Sequence, residues 1–150
     1  MQLTPENLKD LAHSYLALAQ GMLDWRTLNP LTSQEDRNQF NSEFSQVMQM
    51  ADSFEHAALV AAILDVESSV ADLQSATQQA QHALTVINDI TKVMAIAGAA
   101  VGLGAAILNP TPGSVVAGLN GLVQAIKTAT APAAAAPGAA PAAPGGNTGP

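Results

Sequence analysis

The strongest constraint on the fold of this chain is a long apolar run that carries no charge. Between Lys92 and Lys127 the sequence contains no Asp, Glu, Lys, Arg or His. The run has two arms, VMAIAGAAVGLGAAIL at residues 93–108 and SVVAGLNGLVQAI at residues 114–126. Between the arms lies Asn-Pro-Thr-Pro-Gly, a combination that ends helices and forms turns. The sequence therefore predicts an apolar helical hairpin.

The length and hydropathy of the two arms favour contact with lipid. A bilayer core about 30 Å thick needs about 20 helical residues. Each arm is therefore long enough to span the bilayer only if residues of a flanking turn are added to it. Lys92 and Lys127 then lie on the same side, with their ammonium groups in water. The alternative is that the hairpin forms the buried central layer of a helical bundle. The residues expected at the membrane are Val93, Ile96, Gly98, Val101, Gly102, Leu103, Ala106, Ile107, Leu108, Pro110, Pro112, Val115, Val116, Gly118, Leu119, Leu122 and Ile126, flanked by Lys92 and Lys127.

Small residues in the first arm predict that the helices associate. Gly98 and Gly102 form a GxxxG pair, and in lipid such a pair lets a second backbone approach closely. In water each helical Gly costs about 1 kcal/mol relative to Ala, so their presence in an apolar helix needs a packing reason. We therefore expect a homo-oligomer or a related helical partner chain.

The residues before the run predict amphipathic helices. Thr4-Pro5-Glu6 is a good helix opening, and the residue before Pro30 is disfavoured in a helix, which gives a first helix over residues 5–28. Thr32 or Ser33 is expected to cap the next helix. No Gly or Pro interrupts residues 33–97, so one very long helix, or two joined without an obvious break, is predicted there. Its first apolar stripe is Phe40, Phe44, Val47, Ala51, Phe54 and Ala58.

A second stripe within this stretch alternates steps of three and four, the period of a coiled-coil seam. Its partner is the first helix, the second helix or another copy of the chain. The residues expected to form an oligomer seam are Ile63, Val66, Val70, Leu73, Leu84 and Ile87.

Composition narrows the classes of function. Five basic residues and a net charge of -7 argue against nucleic acid as a partner, since phosphate binding needs clustered Lys and Arg. The absence of Cys excludes disulfides and a cysteine nucleophile. His13, His56 and His82 form none of the short motifs that place two metal ligands on one helix face. We therefore expect no enzyme activity, no catalytic or metal site and no cofactor.

These patterns combine into an all-α chain: an elongated helical bundle or coiled coil with a C-terminal apolar hairpin and a disordered Ala/Pro/Gly tail. The expected regions are residues 1–92, acidic and amphipathic; residues 93–126, the hairpin; and residues 127–150, the tail. All but one of the 12 acidic residues occur by Asp72, so an acidic half precedes a nearly uncharged one.

The expected function is that of a membrane-active protein, pore-forming or translocator-like, whose shielded hairpin inserts into a bilayer as an oligomer. In layout, residues 33–126 resemble α-helical pore-forming toxins and the small translocator proteins of bacterial secretion systems. One alternative is a self-assembling coiled-coil interaction protein. Another is an amphipathic coat of a storage granule, since the helical, cysteine-free chain with its Ala/Pro tail resembles the phasins. The N-terminus lacks a basic segment followed by an apolar run, so no secretory signal is expected. The expected location is at a membrane or outside the cell by a non-classical route, and otherwise the cytoplasm.

Overall fold

A computed structural model describes residues 2–61, 64–66, 68 and 70–131 of the chain. It is mostly helical, which confirms the all-α prediction. Its helices are α1 (Pro5–Leu28), α2 (Gln34–Leu59), α3 (Val70–Ala83), α4 (Ile90–Leu108) and α5 (Ser114–Thr130). Two short strands, β1 (Gln2–Leu3) and β2 (Leu64–Asp65), pair in antiparallel fashion.

The first two helices begin where their capping residues predict. The Thr4 hydroxyl accepts a hydrogen bond from the backbone N–H of Asn7, whose side-chain oxygen accepts one from the N–H of Thr4. Ser33 caps α2 by accepting from the N–H of Asp36. These bonds satisfy donors that a helix start leaves free. The boundaries predicted for the first helix are confirmed at both ends.

The prediction of one very long helix, or of two joined without an obvious break, through residues 33–97 is wrong, because this stretch contains α2, α3 and the start of α4. The chain leaves the helical conformation after Leu59, turns through Ala61 at a left-handed φ of 51°, and forms β2 against β1. Packing explains this break, because most of the stability of a helix in a protein comes from burying its apolar face. A helix continuing past Leu59 would carry the apolar faces of α3 away from α1.

A second break separates α3 from α4. The indole N–H of Trp25 donates to the backbone oxygen of Ile87 at 2.9 Å, which ties this connection to α1. Asp89 then caps α4 by accepting from the N–H of Thr91. An Asn-Asp pair before an apolar helix is a recognisable start signal, so this break was readable from sequence.

The five helices enclose one core. α1 lies between α2 and α3, α4 packs on α2 and α5, and α5 also packs on α3, so the contacts close into a ring. Tyr15 and Phe54 lie in the middle with ring centroids 5.3 Å apart. The stripe predicted on the second helix faces this core, with five of its members buried and Phe44 half-buried. Tyr15 and Trp25 are buried as well, so both are packing residues in this bundle.

The structure differs from the prediction in where α5 ends and in what the seam residues contact. α5 continues to Thr130, so residues 127–130 are helical, whereas the tail was expected to start at residue 127. The rest of the predicted tail, residues 132–150, lies outside the described residues. Of the predicted oligomer seam, Val66, Leu73, Leu84 and Ile87 are buried within this one chain, Val70 is half-buried, and Ile63 lies outside the described residues.

Candidate lipid-contact surface on α4 and α5

Helix α4 is the part of the described chain that is long and apolar enough to cross a membrane. Its 19 residues, Ile90–Leu108, include a single charged side chain, Lys92. Apolar core helices of globular proteins meet the same criterion, so burial is the informative property. In this bundle 39 % of the membrane-like stretch is buried. Of the 19 residues of α4, seven are buried, eight are half-buried and four are exposed, so one side of the helix reaches the surface although it carries almost no charge.

The residues predicted at the membrane divide into two groups by burial. The larger side chains mostly turn inward, and the smaller ones mostly lie at or near the surface. Buried are Val93, Ile96, Leu103, Ile107, Val115, Leu122 and Ile126. Half-buried are Gly98, Val101, Ala106, Leu108, Pro110, Gly118 and Leu119, and exposed are Gly102, Pro112 and Val116. Contact between the buried group and lipid therefore requires the bundle to open.

The outward face of α4 is a row of small residues. Ala95, Gly102 and Ala105 are exposed and Gly98 is half-buried, at steps of three and four that keep one face of the helix. A Cβ added to Gly102 would meet no atom within 4 Å. Gly102 thus lies on the open side of α4, whereas a Cβ on Gly98 would lie 3.6 Å from a carboxylate oxygen of Glu43 on α2, and neither glycine packs against α5. The row itself carries no charge and little bulk.

Contact between α4 and α5 depends on a different glycine. A Cβ on Gly118 would lie 3.1 Å from the Cα of Leu103 and 3.6 Å from its Cβ. Absence of a side chain at Gly118 therefore lets the two backbones approach closely. Towards the lysine end of the pair the helices leave a shallow groove of about 400 Å³, lined by Thr91, Lys92, Ala95, Gly121, Gln124, Ala125, Thr128 and Ala129.

On its inner side, α4 is held by α1 and α2 at one tight place. The Tyr15 hydroxyl donates to the backbone oxygen of Ala100 at 2.6 Å. A Cβ on Gly104 would lie 3.2 Å from the Tyr15 hydroxyl oxygen and 2.8 Å from Sδ of Met50. Burial raises the pKa of the Tyr15 hydroxyl well above its ordinary value, and a backbone hydrogen bond from Gly104 offsets part of that rise. The phenol is thus neutral and serves as a donor into the α4 backbone.

A carboxylate lies in the same α2–α4 contact. Glu43 of α2 is half-buried, and its Oε2 is 3.6 Å from the position of a Cβ on Gly98. Its Oε1 is buried without a hydrogen-bond partner, the one such side-chain atom in the described part of the chain. A buried polar atom without a partner destabilises the interface that contains it. The contact of α4 with α2 is therefore less well satisfied than the uncharged contact of α4 with α5.

Charge is distributed unevenly around the bundle. Lys92 lies in the first turn of α4 and Lys127 in the last turn of α5, so both lie at the same end of this pair. The opposite end is the uncharged turn at residues 109–113, where Thr111, Pro112 and Gly113 are exposed. No acidic residue follows Asp89, so the carboxylates belong to the rest of the chain.

The three histidines lie apart on α1, α2 and α3, and all are exposed. Among the residues that the structure describes, no group of three or more His, Asp or Glu side chains is placed to hold a metal ion. Whether the chain has catalytic activity is not tested by this arrangement, and its absence stays a prediction.

Three features of this surface escaped the sequence analysis: the hydrogen bond of Tyr15 to α4, the inward direction of Gly104 and the burial of the Glu43 carboxylate. A signal existed for Tyr15, since a phenol within an apolar helix face needs a hydrogen-bond partner. Gly104 differs from Gly102 only in the direction it faces, and an uncharged helix gives no polar side from which to read that direction. Glu43 precedes Phe44 on an amphipathic helix, and its pattern there is that of an ordinary surface acid.

Comparison with known proteins finds no family model, curated protein or solved structure that matches this chain.

Proposed function

We propose that this chain is a membrane-active helical protein that stores α4 and α5 in a closed bundle and inserts them into a lipid bilayer. The observation that carries the proposal is α4 itself, which is membrane-like in length and composition and is only 39 % buried over that stretch. Lipid is the partner whose chemistry matches a surface without charge, because transfer of such a surface into hydrocarbon leaves no ion to desolvate.

The positions of the side chains support storage of the two helices before insertion. The large residues of α4 and α5, among them Ile96, Leu103 and Leu122, fill the core of the closed bundle. Burying them against lipid in place of the core requires little change in their surroundings, since lipid tails are as apolar as Leu. Lys92 and Lys127, at one end of the pair, remain in water while the uncharged turn at residues 109–113 enters first.

Assembly in the membrane is part of the proposal. Gly102 has no neighbour within 4 Å of its missing Cβ, so a second helix is free to approach there. In lipid, where apolar burial no longer drives association, small residues promote helix pairing by allowing close backbone contact. Gly102, joined by Gly98 once α4 has left Glu43 of α2, therefore fits a second copy of the chain, and a pore-forming or translocating assembly follows from several copies.

Substitutions at Gly102 test the proposal. Gly102→Arg adds a charge to the outward face without touching a neighbour in the closed bundle. A charge at the middle of a membrane helix costs about 2.5–3.5 kcal/mol, which is about a 70- to 370-fold loss of partitioning. Flotation with phosphatidylcholine–phosphatidylglycerol vesicles measures this loss. Gln46→Arg is the matched control, since Gln46 is exposed on α2.

Gly102→Leu separates insertion from assembly. Leu keeps the helix apolar, so we expect the variant to float like the wild type, but its bulk blocks close approach of a second backbone and dye release from the vesicles falls. Leakage equal to that of the wild type would remove the small-residue interface from the proposal. Failure of the wild-type protein to float or to release dye at any pH tested would remove the membrane function altogether.

A further inference from the structure

We infer that α4 and α5 leave the bundle together as one pair, and that the bundle opens between α2 and α4 and between α3 and α5 while α1, α2 and α3 stay in contact. The inference rests on the proposed function, because it describes how the two helices reach lipid. It makes the contact of α4 with α1 and α2 the latch of the closed form, and so assigns the regulation of insertion to Tyr15, Glu43, Met50 and Gly104.

Chain connectivity permits this movement. A single connection, residues 84–89, joins the pair to the helices before it, and α5 is the last helix of the described residues. Within that connection Ile87 is buried and bonded to Trp25, whereas Asn88 and Asp89 are exposed. The natural pivot is therefore at Asn88 and Asp89. A pair held by one connection swings away without passing one loop through another.

The contact between α4 and α5 is suited to persist when the pair enters lipid. Gly118 lies against the backbone of Leu103, with 3.1 Å from its missing Cβ to the Leu103 Cα. In the turn that joins the helices, the Ser114 hydroxyl donates to the backbone oxygen of Thr111 at 2.8 Å, and its oxygen lies 3.0 Å from the N–H of Thr111. Close backbone packing of this kind is favourable in lipid as well as in a protein core. We therefore expect α4 and α5 to stay in contact during insertion.

The contact that opens is the one with an unsatisfied group. In the closed bundle Oε1 of Glu43 is buried without a hydrogen-bond partner, and Oε2 of the same carboxylate lies 3.6 Å from the position of a Cβ on Gly98 of α4. Departure of α4 returns this carboxylate to water, where it recovers its hydrogen bonds. What holds the contact closed is the bond from Tyr15 to Ala100 and the close fit of Met50 on Gly104. The contact of α4 with α1 and α2 thus contains specific interactions that hold it closed and an unsatisfied carboxylate that gains hydrogen bonds when it opens.

Engineered disulfides test which contacts open. The chain has no native Cys, so each introduced pair is the only one present. Met50→Cys with Gly104→Cys joins α2 to α4. A sulfur at the place of Met50 Cγ lies 3.2 Å from the Cβ at position 104, within the reach of one S–S bond. Oxidation is expected to abolish flotation with phosphatidylcholine–phosphatidylglycerol vesicles, and reduction is expected to restore it.

A second disulfide serves as the matched control. Gly21→Cys with Gln81→Cys joins α1 to α3, which stay together, and the distance from the Cβ at position 21 to Gln81 Cγ is 3.4 Å. The oxidised control is expected to float like its reduced form.

The outcomes separate the inference from the function on which it rests. Flotation of the oxidised α2–α4 variant would overturn the inference and leave the membrane function intact. Absence of flotation for the wild-type protein removes the proposed function, and the inference with it.

Spin labels at exposed positions give a second reading that does not disturb the core. Labels on Gln46→Cys and Ala105→Cys report the distance between α2 and α4, and labels on Ala105→Cys and Ala117→Cys report that between α4 and α5. Addition of vesicles is expected to lengthen the first distance and leave the second unchanged. An unchanged first distance in vesicle-bound protein, or a lengthened second one, contradicts the inference.

Discussion

Two glycines of α4, separated by one residue, provide the sharpest test of how this helix is oriented. Replacing either Gly by Ala raises helix propensity by about 1 kcal/mol. At Gly102 nothing opposes that gain, because an added Cβ meets no atom within 4 Å. Gly102→Ala is therefore expected to raise the free energy of unfolding by up to about 1 kcal/mol.

At Gly104 the same change meets a closed space. The added Cβ would lie 2.8 Å from Sδ of Met50 and 3.2 Å from the Tyr15 hydroxyl oxygen. Met50 is half-buried and its side chain is able to rotate, but the Tyr15 hydroxyl is fixed by its bond to Ala100. Overpacking a core typically costs about 1–3 kcal/mol. Subtracting the propensity gain leaves Gly104→Ala between neutral and about 2 kcal/mol less stable than the wild type.

Comparison of the two variants removes the shared propensity term, so their difference reports the steric term of about 1–3 kcal/mol alone. Urea unfolding followed by circular dichroism and by the fluorescence of the single Trp measures both free energies. For a chain of 150 residues each kcal/mol shifts Tm by about 2–4 °C. Equal stability of the two variants would show that Gly104 does not face Tyr15 and Met50, and the described orientation of α4 would be wrong.

Tyr15→Phe is expected to lower the free energy of unfolding by about 0.5–1.5 kcal/mol, since it removes the bond to Ala100. Because burial raises the pKa of Tyr15, the wild-type protein should lose stability as pH rises above the ordinary tyrosine value of 10.0, and the Phe variant should lose less; equal losses in urea titrations would contradict this. Trp25→Phe keeps an aromatic ring but removes the indole N–H that donates to Ile87, so hydrogen exchange at residues 84–89 should accelerate more than in the middle of α2.

Local signals accounted for the helix ends that the sequence predicted well. Thr4-Pro5 starts α1, and Asn29-Pro30 ends it. Pro and Gly at residues 110–113 separate α4 from α5. The break after Leu59 has no such signal, because residues 60–69 contain neither Gly nor Pro. It forms because α3 packs on α1 and β2 pairs with β1, contacts between segments far apart in sequence.

The candidate surface was predictable in membership but not in orientation. An absence of charge identified α4 and α5, yet it left each helix without a polar side that would show which residues face outward. Leu73 and Leu84 illustrate the matching difficulty for the predicted seam. Their three-four spacing serves a core within one chain as well as a seam between chains, and in this structure both are buried within the chain.

The order of the helices along the chain also orders them in time. At synthesis rates of about 5–20 residues per second, the stretch from Ile90 to Thr130 takes about 2–8 s to be made, after α1, α2 and α3 are complete. Of those three helices, α1 contacts both α2 and α3 without help from α4 or α5. The ribosome therefore delivers the most apolar helices to a partner surface that already exists, so that they spend little time exposed to water.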